Sequence, residues 1–516
     1  MIGLSSVLAH HNVPDEPLSA EEMPLRGDSS PRIAPFGVRN NRFTLLSALL
    51  VLTLLSIGAT TSTSFGLHPP PVLSIDVLPV ANMHSTHETS PLCDVMQESG
   101  YIQLPNKVDA KYFYWFFESR SDPATDPLVL WLTGGPGGSS MMALLTENGP
   151  CFVGADSNST VHNPFSWTTE ANVIWVDQPV GVGYSTGQLP QDYDYSLEDV
   201  ATNMRHFLRG WLQRHPAFIG RPFFITGESY AGSYGPAIAA ALVVQENDDM
   251  PINLQGIAIG NGWTNPLTQI QHQADLLEAN SYNKTILNAS MLVMYKADIA
   301  QVVRLAEQCY THNHTACVDA TTLWKQRLVR PLVTLGHVDR FDLRKPATVV
   351  SNTDAAQPLN LLQINMGNEQ TTAFLNDPHV RARLCVDSPR DWVLLATDVQ
   401  ANFAQATYEN AEQHVATLLA HGVRVLMYAG DADLMCSYPG ILAWMLALPW
   451  AGQAAFNAAT PVAFHGANGH AAGELRSAGD LAFLRVFDAG HMVPMDQPEV
   501  AVTMLNRFLH RRPLHK

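Results

Sequence analysis

Short, mainly apolar runs recur along the chain, and most of them end in loops rich in glycine or acidic residues. Such runs occur at residues 128–132, 222–225, 424–428 and 481–487. Runs of this length, bounded by turn residues, are typical of strands buried on both faces of a sheet. Residues 197–215 instead carry apolar side chains at helical spacing, which predicts a helix with one face in the core. The alternation predicts an α/β fold with a mixed, mostly parallel sheet flanked by helices.

The pattern changes along the chain without any internal repeat. Residues 101–117 are rich in aromatic side chains and predict an early β-hairpin. From about residue 265 to 371 the pattern becomes helical and polar, and the α/β pattern resumes with a helix at residues 376–384 and a strand near Val423. We therefore expect one large α/β core, formed by residues 92–264 and 372–516, with a mainly helical insertion at residues 265–371.

One of the predicted strands is followed by a serine at a sharp turn. The sequence Thr-Gly-Glu-Ser-Tyr-Ala at residues 226–231 lies between the apolar run and a helix of small residues. A strand, a sharp turn and a helix with serine at the apex would present the hydroxyl of Ser229 to a bound carbonyl group. Ala231 stands where the general G-x-S-x-G pattern has its second glycine, but alanine is small enough for close helix packing. A tight turn without catalysis is the alternative, because the short pattern is frequent by chance.

A nucleophilic serine needs a base and a group that orients the base, and candidates for both follow two later strands. One strand leads into Asp431 and Asp433, and the last strand leads into a loop that contains His491. Open α/β sheets place chemistry at the carboxyl ends of their strands, so these loops are expected to meet Ser229. Singly, a turn-capping aspartate or a solvated histidine is the commoner explanation. Three such loops in the order Ser, Asp, His favour the triad of α/β-hydrolases.

Longer motifs cover the chain from about residue 90 to 510. They are WLTGGPGGSS (131–140), ENGP (147–150), NPFSW (163–167), DQPVGVGYS (177–185), GESYAG (227–232), IGNGWTNP (259–266), GDADLMC (430–436) and GHMVP (490–494). Together they resemble the serine carboxypeptidase family, which includes cathepsin A and the yeast and plant vacuolar carboxypeptidases. The resemblance implies the α/β-hydrolase fold, with the insertion as a cap over the active site. It also implies Ser229 as nucleophile, His491 as general base and then acid, and Asp433 rather than Asp431 as the residue that orients the imidazole.

A glycine loop supplies half of the oxyanion hole in that family. Residues 134–138 (GGPGG) follow a buried strand here and lack the Gly-Lys-Ser/Thr ending of a phosphate-binding loop. Carried over residue by residue, the resemblance assigns the oxyanion hole to the N–H groups of Gly135 and Tyr230. Donors of this kind typically stabilise a transition state by about 3 kcal/mol each.

An exopeptidase also has to recognise the free C-terminal carboxylate of its substrate. The resemblance assigns this task to Thr133, Gly134, Glu147 and Glu228. Two acids that face an anion must share or hold protons, so we expect activity to favour acidic pH. Taken singly, Glu147 would be a turn residue and Glu228 a solvated side chain. Many relatives have asparagine in place of Thr133, whereas the carboxypeptidase III-like branch resembles this chain in having threonine.

The chain contains six cysteines, and two pairs are expected to form disulfides. Cys309 and Cys317 flank a short polar loop and could close a local bridge in an oxidising compartment. We also expect Cys93 to pair with Cys385, which leaves Cys151 without an assigned partner.

Two further positions are interpreted from the resemblance. Cys436 matches a family cysteine that is usually a free thiol near the leaving-group pocket, with a buried structural thiol as the alternative. Gly138 replaces a cysteine that many relatives bridge across the fold.

Neither zinc-like spacing nor an H-E-x-x-H sequence occurs, so we expect no metal and no other cofactor.

The start of the chain predicts entry into the secretory pathway. Residues 43–59 form an apolar stretch of 17 residues after four arginines, which suits a signal peptide within a leader of residues 1–59, with a signal anchor as the alternative. Residues 60–91 have the composition of a linker or pro-segment. Glycosylation would support the same route, and four sites have the Asn-x-Ser/Thr pattern: Asn158, Asn283, Asn288 and Asn313.

Charge and motifs together predict the function. The net charge of −17 argues against nucleic acid or an anionic membrane as a partner, and stable membrane association is expected only if the leader remains as an anchor. We expect a secreted or luminal enzyme of a lysosome- or vacuole-like compartment, a serine carboxypeptidase that removes C-terminal residues from peptides and proteins through an acyl-enzyme. The oligomeric state stays open, with a homodimer as one candidate. Two alternatives stay open: an acyltransferase or esterase with the same triad, and a cathepsin A-like protective scaffold for partner hydrolases.

Overall fold

The computed structural model describes residues 92–244, 250–311, 313–347 and 368–515. The predicted leader and the predicted linker or pro-segment therefore lie outside the described residues. The strands of the described part are β1 (Gln97–Gln103), β2 (Lys111–Phe117), β3 (Leu128–Thr133), β4 (Cys151–Val153), β5 (Thr160–His162), β6 (Asn172–Val176), β7 (Phe223–Glu228), β8 (Leu254–Gly260), β9 (Val338–Asp339), β10 (Asp342–Pro346), β11 (Arg424–Gly430), β12 (Val462–His465), β13 (Ala471–Ala478) and β14 (Leu481–Val486).

The helices of the described part alternate with these strands. They are α1 (Ser140–Ala143), α2 (Leu197–Arg214), α3 (Ala231–Val243), α4 (Pro266–Gln271), α5 (Asp275–Glu278), α6 (Ala289–Tyr310), α7 (His314–Leu323), α8 (Arg330–Thr334), α9 (Asn368–Asn376), α10 (Pro378–Arg383), α11 (Thr397–Asn402), α12 (Glu412–Ala420), α13 (Tyr438–Ala447), α14 (Gln453–Ala458), α15 (Val493–Asp496) and α16 (Pro498–Leu509).

Ten of the strands form one sheet in the order β1-β2-β6-β3-β7-β8-β11-β14-β13-β12. The six central strands, from β6 to β14, run parallel to their neighbours. The strands outside them at both ends pair antiparallel. The expected mixed, mostly parallel sheet is therefore confirmed, and the loops after β7, β8, β11 and β14 leave the sheet at one common edge.

Side-chain alternation explains why the central strands read as unbroken apolar runs. In β3, Leu128, Leu130 and Leu132 face one hydrophobic core, whereas Val129 and Trp131 face the core on the opposite side. Successive side chains of a strand point to opposite faces, so a strand covered on both sides is apolar throughout. The helix α2 adds one face of buried residues to the first core, as its periodicity predicts, and α16 packs on the second core.

The predicted helix at residues 376–384 is wrong in its extent. The helix α9 ends at Asn376 and α10 begins at Pro378. Asp377 between them has an extended backbone, and its side chain accepts hydrogen bonds from the backbone N–H groups of His379 and Val380. Proline disfavours a helical conformation in the residue before it, so the Asp-Pro pair ends one helix and begins the next.

The predicted insertion contains helices α4 to α8, and it also contains a small β-hairpin that the sequence pattern does not show. Strands β9 and β10 pair antiparallel, with Asp339 opposite Asp342. Arg340 and Phe341 therefore form a two-residue turn, which we call the hairpin tip. The exact boundaries of the core and the insertion stay a prediction.

Two disulfides are present in the described part, and one of them corrects an expectation. Cys309 and Cys317 are bonded as expected, with Cα atoms 4.8 Å apart. The expected pairing of Cys93 with Cys385 is wrong, because Cys93 is bonded to Cys151 with a Cα separation of 5.5 Å, and Cys385 is a free thiol. The segment before β1 lies along the β4–β5 hairpin, where Thr160 donates a hydrogen bond to the Leu92 carbonyl, and this brings Cys93 beside β4.

Candidate active site

Ser229 occupies a strained turn between β7 and α3. Its φ of 64° lies in the left-handed region that side chains other than glycine rarely adopt. Its amide donates to the Gly260 carbonyl at 3.0 Å, and its carbonyl accepts from the Trp263 amide at 2.8 Å, so β8 and the loop after it hold the turn. Gly227 has no Cβ, which leaves room for the side chain of Ala231, because a Cβ added at Gly227 would lie 2.6 Å from that of Ala231. This explains why residue 231 can be alanine where the general pattern has glycine. The side chain of Ser229 stays partly exposed.

His491 and Asp433 form a buried pair at the same sheet edge. The Nδ1 of His491 lies 2.7 Å from Oδ2 of Asp433, and the two residues are 4% and 0% exposed. The backbone amides of Met435 and Cys436 donate to the Asp433 carboxylate at 2.8 and 3.1 Å, which fixes its orientation. Asp431 instead accepts a hydrogen bond from Tyr282 and pairs with Arg485 at 3.4 Å. The structure thus distinguishes the two acids, which the local sequence does not.

The hydroxyl of Ser229 makes no hydrogen bond with His491 in the described structure. Strand β8 links the serine turn to the buried pair. Its last residue, Gly260, accepts a hydrogen bond from the Ser229 amide, and the next residue, Asn261, donates one to the Asp433 carboxylate. In serine hydrolases without substrate, the contact between nucleophile and base is often long and tightens when substrate binds.

Asn261 is a site residue that the sequence analysis did not single out. Its Nδ2 donates to Oδ2 of Asp433 at 2.8 Å, and its Oδ1 accepts from the Gly430 amide at 3.1 Å. Its φ of 42° is in the left-handed region, which asparagine tolerates better than most residues. The signal was present, because Asn261 lies within the IGNGWTNP motif, but nothing local indicates a contact with a residue 172 positions away.

The hairpin tip contacts both loops that carry the acid and the base. The His491 amide donates to the Phe341 carbonyl at 2.7 Å, and the Leu434 amide donates to the Arg340 carbonyl at 3.1 Å. The ring of Phe341 also packs on the imidazole of His491, with ring centroids 4.8 Å apart. The predicted insertion is therefore part of the active-site wall, at a position that no sequence motif indicates.

The glycine loop leaves space beside the serine for an oxyanion. A Cβ added at Gly134 would lie 2.2 Å from the Tyr230 nitrogen, so only glycine keeps this amide accessible. Gly135 has a φ of 119°, which L side chains rarely adopt, and it is exposed. Within the described residues, the amides of Gly135 and Tyr230 donate no hydrogen bond to a backbone acceptor. Both N–H groups are therefore free to bind a ligand oxygen next to Ser229.

The loop is held in place by a buried carboxylate. Asp177 accepts hydrogen bonds from the Ser139 hydroxyl at 2.5 Å, the Ser140 amide at 3.0 Å and the Tyr184 amide at 3.0 Å. Burial raises the pKa of Asp177 to about 6, while these donors oppose the rise. The DQPVGVGYS motif thus supports the glycine loop.

Glu147 and Glu228 form a buried carboxyl pair beside Ser229. Glu228 is the last residue of β7, and Glu147 lies in a π-helical turn at Leu144–Asn148, a distortion that is frequent at functional sites. They are 1% and 3% exposed, and three of their four carboxyl oxygens have no conventional hydrogen-bond partner in the described structure.

Both carboxyl groups of this pair hold protons more tightly than usual. Burial raises the pKa of Glu147 to about 8. The pKa of Glu228 is also raised, first by burial and then by the charge of Glu147. Two neighbouring ionised carboxylates repel each other, so the form of the pair that keeps at least one proton is favoured.

Thr133 contributes a hydroxyl next to the glycine loop. Its Oγ1 accepts a hydrogen bond from Nε1 of Trp131 at 3.0 Å, and its amide donates to Oγ of Ser140 at 3.1 Å. Because the oxygen already accepts, the hydroxyl hydrogen remains available to an anion. Gly134 follows directly, so the residues expected to bind the carboxylate are brought together at the ends of β3 and β7 and in the turn containing Glu147.

Cys436 lies beside Asp433 and His491. The potential ligand atoms of Asp433, Cys436 and His491 lie within 4.8 Å of one another, so these residues could hold a metal ion. His491 and Asp433 are already hydrogen-bonded to each other, however, and burial raises the pKa of the Cys436 thiol, with smaller contributions from the charges of Asp433 and Glu228. The thiol is therefore held in its protonated, poorly ligating form.

A strained serine, a buried histidine–aspartate pair and two accessible amides at the carboxyl edge of a parallel sheet define a serine hydrolase site on an α/β fold. The comparisons with known proteins specify the family. The model of the serine carboxypeptidase family matches residues 87–511, and the chain belongs to this family, a class of serine-type hydrolases.

Several relatives agree with this membership. "Serine carboxypeptidase-like 48" of Arabidopsis thaliana is 37% identical over 421 residues, which covers 81% of this chain and 78% of the relative. "Serine carboxypeptidase 3" of Hordeum vulgare is 36% identical over 420 residues, with the same two coverages of 81% and 78%. Among solved structures, the prohormone-processing carboxypeptidase Kex1 of Saccharomyces cerevisiae has a TM-score of 0.66 at 23% identity, over 82% of this chain and 93% of that one. This structural likeness confirms the fold.

Proposed function

We propose that the protein removes C-terminal residues from peptides and proteins through an acyl-enzyme on Ser229, with highest efficiency at acidic pH. The observation that carries this proposal is the buried carboxyl pair next to the nucleophile. A serine hydrolase that cleaves internal bonds has no need of two proton-holding acids beside its serine. An exopeptidase needs them, because a protonated carboxyl group can donate a hydrogen bond to the free carboxylate of the terminal residue.

The chemical steps follow from the positions of the groups. Ser229 Oγ attacks the scissile carbonyl while Nε2 of His491 takes its proton, and Asp433 holds the Nδ1–H of the imidazole. The amides of Gly135 and Tyr230 bind the oxyanion that forms. His491 then donates the proton to the departing amine, and the terminal residue leaves. Water, deprotonated by His491, attacks the acyl-enzyme and releases the shortened peptide.

The terminal carboxylate is bound by Glu147, Glu228, Thr133 and Gly134. Since burial raises the pKa of both glutamates, the pair keeps a proton as the pH rises above the usual range for carboxyl groups. When the pair loses a proton, its negative charge increases and it repels the substrate carboxylate more strongly. Binding of free C-termini is therefore strongest at low pH and is lost as the pH rises through the raised pKa.

Paired peptides test this function directly. Peptides that differ only in a free or amidated C-terminus are incubated with the wild type and with Ser229→Ala, and the products are measured by mass spectrometry. We expect stepwise loss of residues from free ends and a loss of several orders of magnitude in Ser229→Ala. Ser477→Ala, an exposed serine on β13, serves as the control and should leave the rate unchanged. Ester products in the presence of an alcohol, without hydrolysis, would instead support acyl transfer.

We also propose that the protein matures in the secretory pathway and acts in a lysosome- or vacuole-like lumen or outside the cell. Its two disulfides suit an oxidising compartment. The four asparagines with the glycosylation pattern, Asn158, Asn283, Asn288 and Asn313, are exposed. Within the described ranges, no helix has both the length and the apolar character needed to cross a membrane. A mass decrease on treatment with a glycosidase specific for N-linked glycans would support this route.

A further inference from the structure

Arg340 is a buried cation that has no hydrogen-bond acceptor for its Nη2 among the described residues. The residue is only 7% exposed, and Nη2 itself is fully buried. Burial lowers its pKa to about 10, so the group is still charged at any physiological pH. A buried guanidinium nitrogen without an acceptor destabilises a fold, and a bound anion would supply that acceptor.

The guanidinium and the imidazole of His491 both contact the ring of Phe341. The Cζ of Arg340 is 4.4 Å from the centroid of the Phe341 ring, and that ring in turn packs on the imidazole of His491. The backbone of Arg340 is bound to the loop of the acid, because its carbonyl accepts from the Leu434 amide at 3.1 Å. The hairpin tip therefore holds the backbone of Arg340 beside the loop that carries Asp433.

Neighbouring cations of the same hairpin have partners, which makes Arg340 distinct. Arg344 pairs with Asp342 at 2.7 Å and with Asp496 at 3.1 Å, and Lys345 pairs with the same two acids. The negative charge of Asp339 raises the pKa of Arg340 and so opposes the effect of burial. That carboxylate accepts a hydrogen bond from the Phe341 amide at 2.9 Å.

The position of the hairpin indicates which part of a substrate would meet Arg340. In the proposed reaction, the terminal residue lies between His491, which protonates its amine, and the carboxyl pair, which binds its α-carboxylate. Asp496 is close enough to this pair for its charge to raise the pKa of Glu147 and Glu228, and it accepts from the Gly490 amide at 2.7 Å. Arg344 of the hairpin binds the same Asp496. The hairpin is thus on the side of the departing terminal residue.

We propose that Arg340 binds the side-chain carboxylate of an acidic C-terminal residue, so that the enzyme prefers peptides ending in glutamate or aspartate. This inference rests on the proposed carboxypeptidase function. A guanidinium presents several N–H donors in a planar fork that matches a carboxylate. Glutamine has the same shape as glutamate without the charge, so a comparison of the two isolates the contribution of the ion pair.

The test uses N-blocked dipeptides Phe-Glu, Phe-Gln and Phe-Leu at about pH 6, where a glutamate side chain is ionised because its ordinary pKa is about 4.3. We expect the wild type to cleave Phe-Glu at least about tenfold more efficiently than Phe-Gln in kcat/KM, mainly through KM. Arg340→Gln and Arg340→Leu should make the two substrates nearly equal while Phe-Leu is still cleaved. Arg340→Glu should invert the preference toward a terminal lysine. Arg512→Gln removes an exposed cation that pairs with Glu170 before β6, and it should keep the wild-type preference.

The outcomes separate this inference from the function on which it rests. If Phe-Leu is cleaved but Phe-Glu and Phe-Gln react equally in the wild type, the role of Arg340 is wrong and the carboxypeptidase function stands. A preference for Glu-Leu over Gln-Leu, without one for terminal glutamate, would place the guanidinium on the acyl side and would also overturn the inference. If none of the dipeptides is cleaved, both proposals fail together. If the variants of Arg340 lose all activity, the ratio of kcat/KM for Phe-Glu to that for Phe-Gln in the wild type decides whether the inference holds.

Discussion

The backbone amide of His491 donates a hydrogen bond to the carbonyl of Phe341, with the two atoms 2.7 Å apart. The general base proposed for this enzyme is thus held by a hairpin of the predicted insertion, more than a hundred residues earlier in the chain. The same hairpin tip accepts a hydrogen bond from the Leu434 amide, next to Asp433. Acid and base are therefore positioned relative to each other by a third segment as well as by their own contact.

Replacing the aromatic ring at the hairpin tip tests this relationship. Phe341→Ala keeps the backbone carbonyl that binds the His491 amide but removes the ring that packs on the imidazole. Aromatic contacts of this kind contribute about 0.5–1.5 kcal/mol, so we expect kcat to fall by up to about tenfold. Phe218→Ala removes an aromatic ring near the opposite end of β7 and should leave kcat unchanged. Equal kcat values for the wild type and Phe341→Ala would contradict the idea that the ring positions the imidazole.

Asn261 should act as a positioning residue for Asp433. Asn261→Gly keeps a backbone that accepts a φ of 42° but removes the amide that donates to the carboxylate. A hydrogen bond to a charged group contributes about 1.5–3 kcal/mol, so kcat should fall by about ten- to a hundredfold. KM should change little, because Asn261 is not placed against the substrate.

Steady-state kinetics on one peptide measure both constants. Asn253→Gly, an exposed asparagine just before β8, is the matched control and should keep the wild-type values. A fall in stability with an unchanged kcat would mean that Asn261 only supports the fold.

The carboxyl pair predicts the pH dependence of substrate binding. In the wild type, kcat/KM for a peptide with a free C-terminus should decrease as the pH rises through the raised pKa of the pair, because the ionised pair repels the substrate. Glu147→Gln provides an amide that cannot ionise, so the alkaline decrease should move or flatten. Profiles measured from about pH 4 to pH 9 show this change. A profile that is the same in Glu147→Gln and wild type would contradict the proposed role of the pair.

The same pair predicts how stability depends on pH. A glutamate has a pKa of about 4.3 in the unfolded chain, and burial raises that of Glu147 to about 8 in the folded protein. The folded state therefore keeps protons that the unfolded state has lost, and the stability of the wild type decreases as the pH rises between these values. Glu147→Gln should remove part of this decrease. Denaturant unfolding at several pH values measures the free energy of unfolding of both proteins. An equal decrease of this free energy with pH in the wild type and in Glu147→Gln would contradict the prediction.

How much of this could be predicted from the sequence depends on the range of the interactions. The buried strands and the turn at Ser229 follow from local patterns, because a strand covered on both faces is apolar throughout and a strained turn needs small neighbours. The order of the serine, acid and base loops follows from chain order alone. The contact between Asn261 and Asp433 and the place of the hairpin tip depend on tertiary packing, which no local pattern encodes.

The cysteine pairing illustrates the same limit. Spacing correctly indicates the short-range bridge between Cys309 and Cys317, since only eight positions separate them. The partner of Cys93 depends on where the segment before β1 lies in the fold, and connectivity of distant cysteines cannot be deduced from sequence. The prediction of Cys385 as its partner was wrong for this reason.

The observed bridge between Cys93 and Cys151 gives a prediction for stability. It closes a loop with a sequence separation of 58 residues, and the chain-entropy model assigns such a loop a stabilisation of about 4 kcal/mol. The double variant Cys93→Ala, Cys151→Ala should lower the free energy of unfolding by about 2–5 kcal/mol. Cys385→Ala, at a free thiol, is the control and should change it much less. Similar unfolding curves for both variants would argue against the assigned pairing.

The central claim is that Ser229 is the nucleophile and that His491 activates it. A fluorophosphonate reacts covalently with an activated serine, and peptide mapping by mass spectrometry locates the adduct. The account predicts one adduct on Ser229 in the wild type, together with complete loss of peptidase activity, and a rate of labelling at least about a hundredfold lower in His491→Ala. An adduct on another residue, or full labelling of Ser229 without His491, would contradict it.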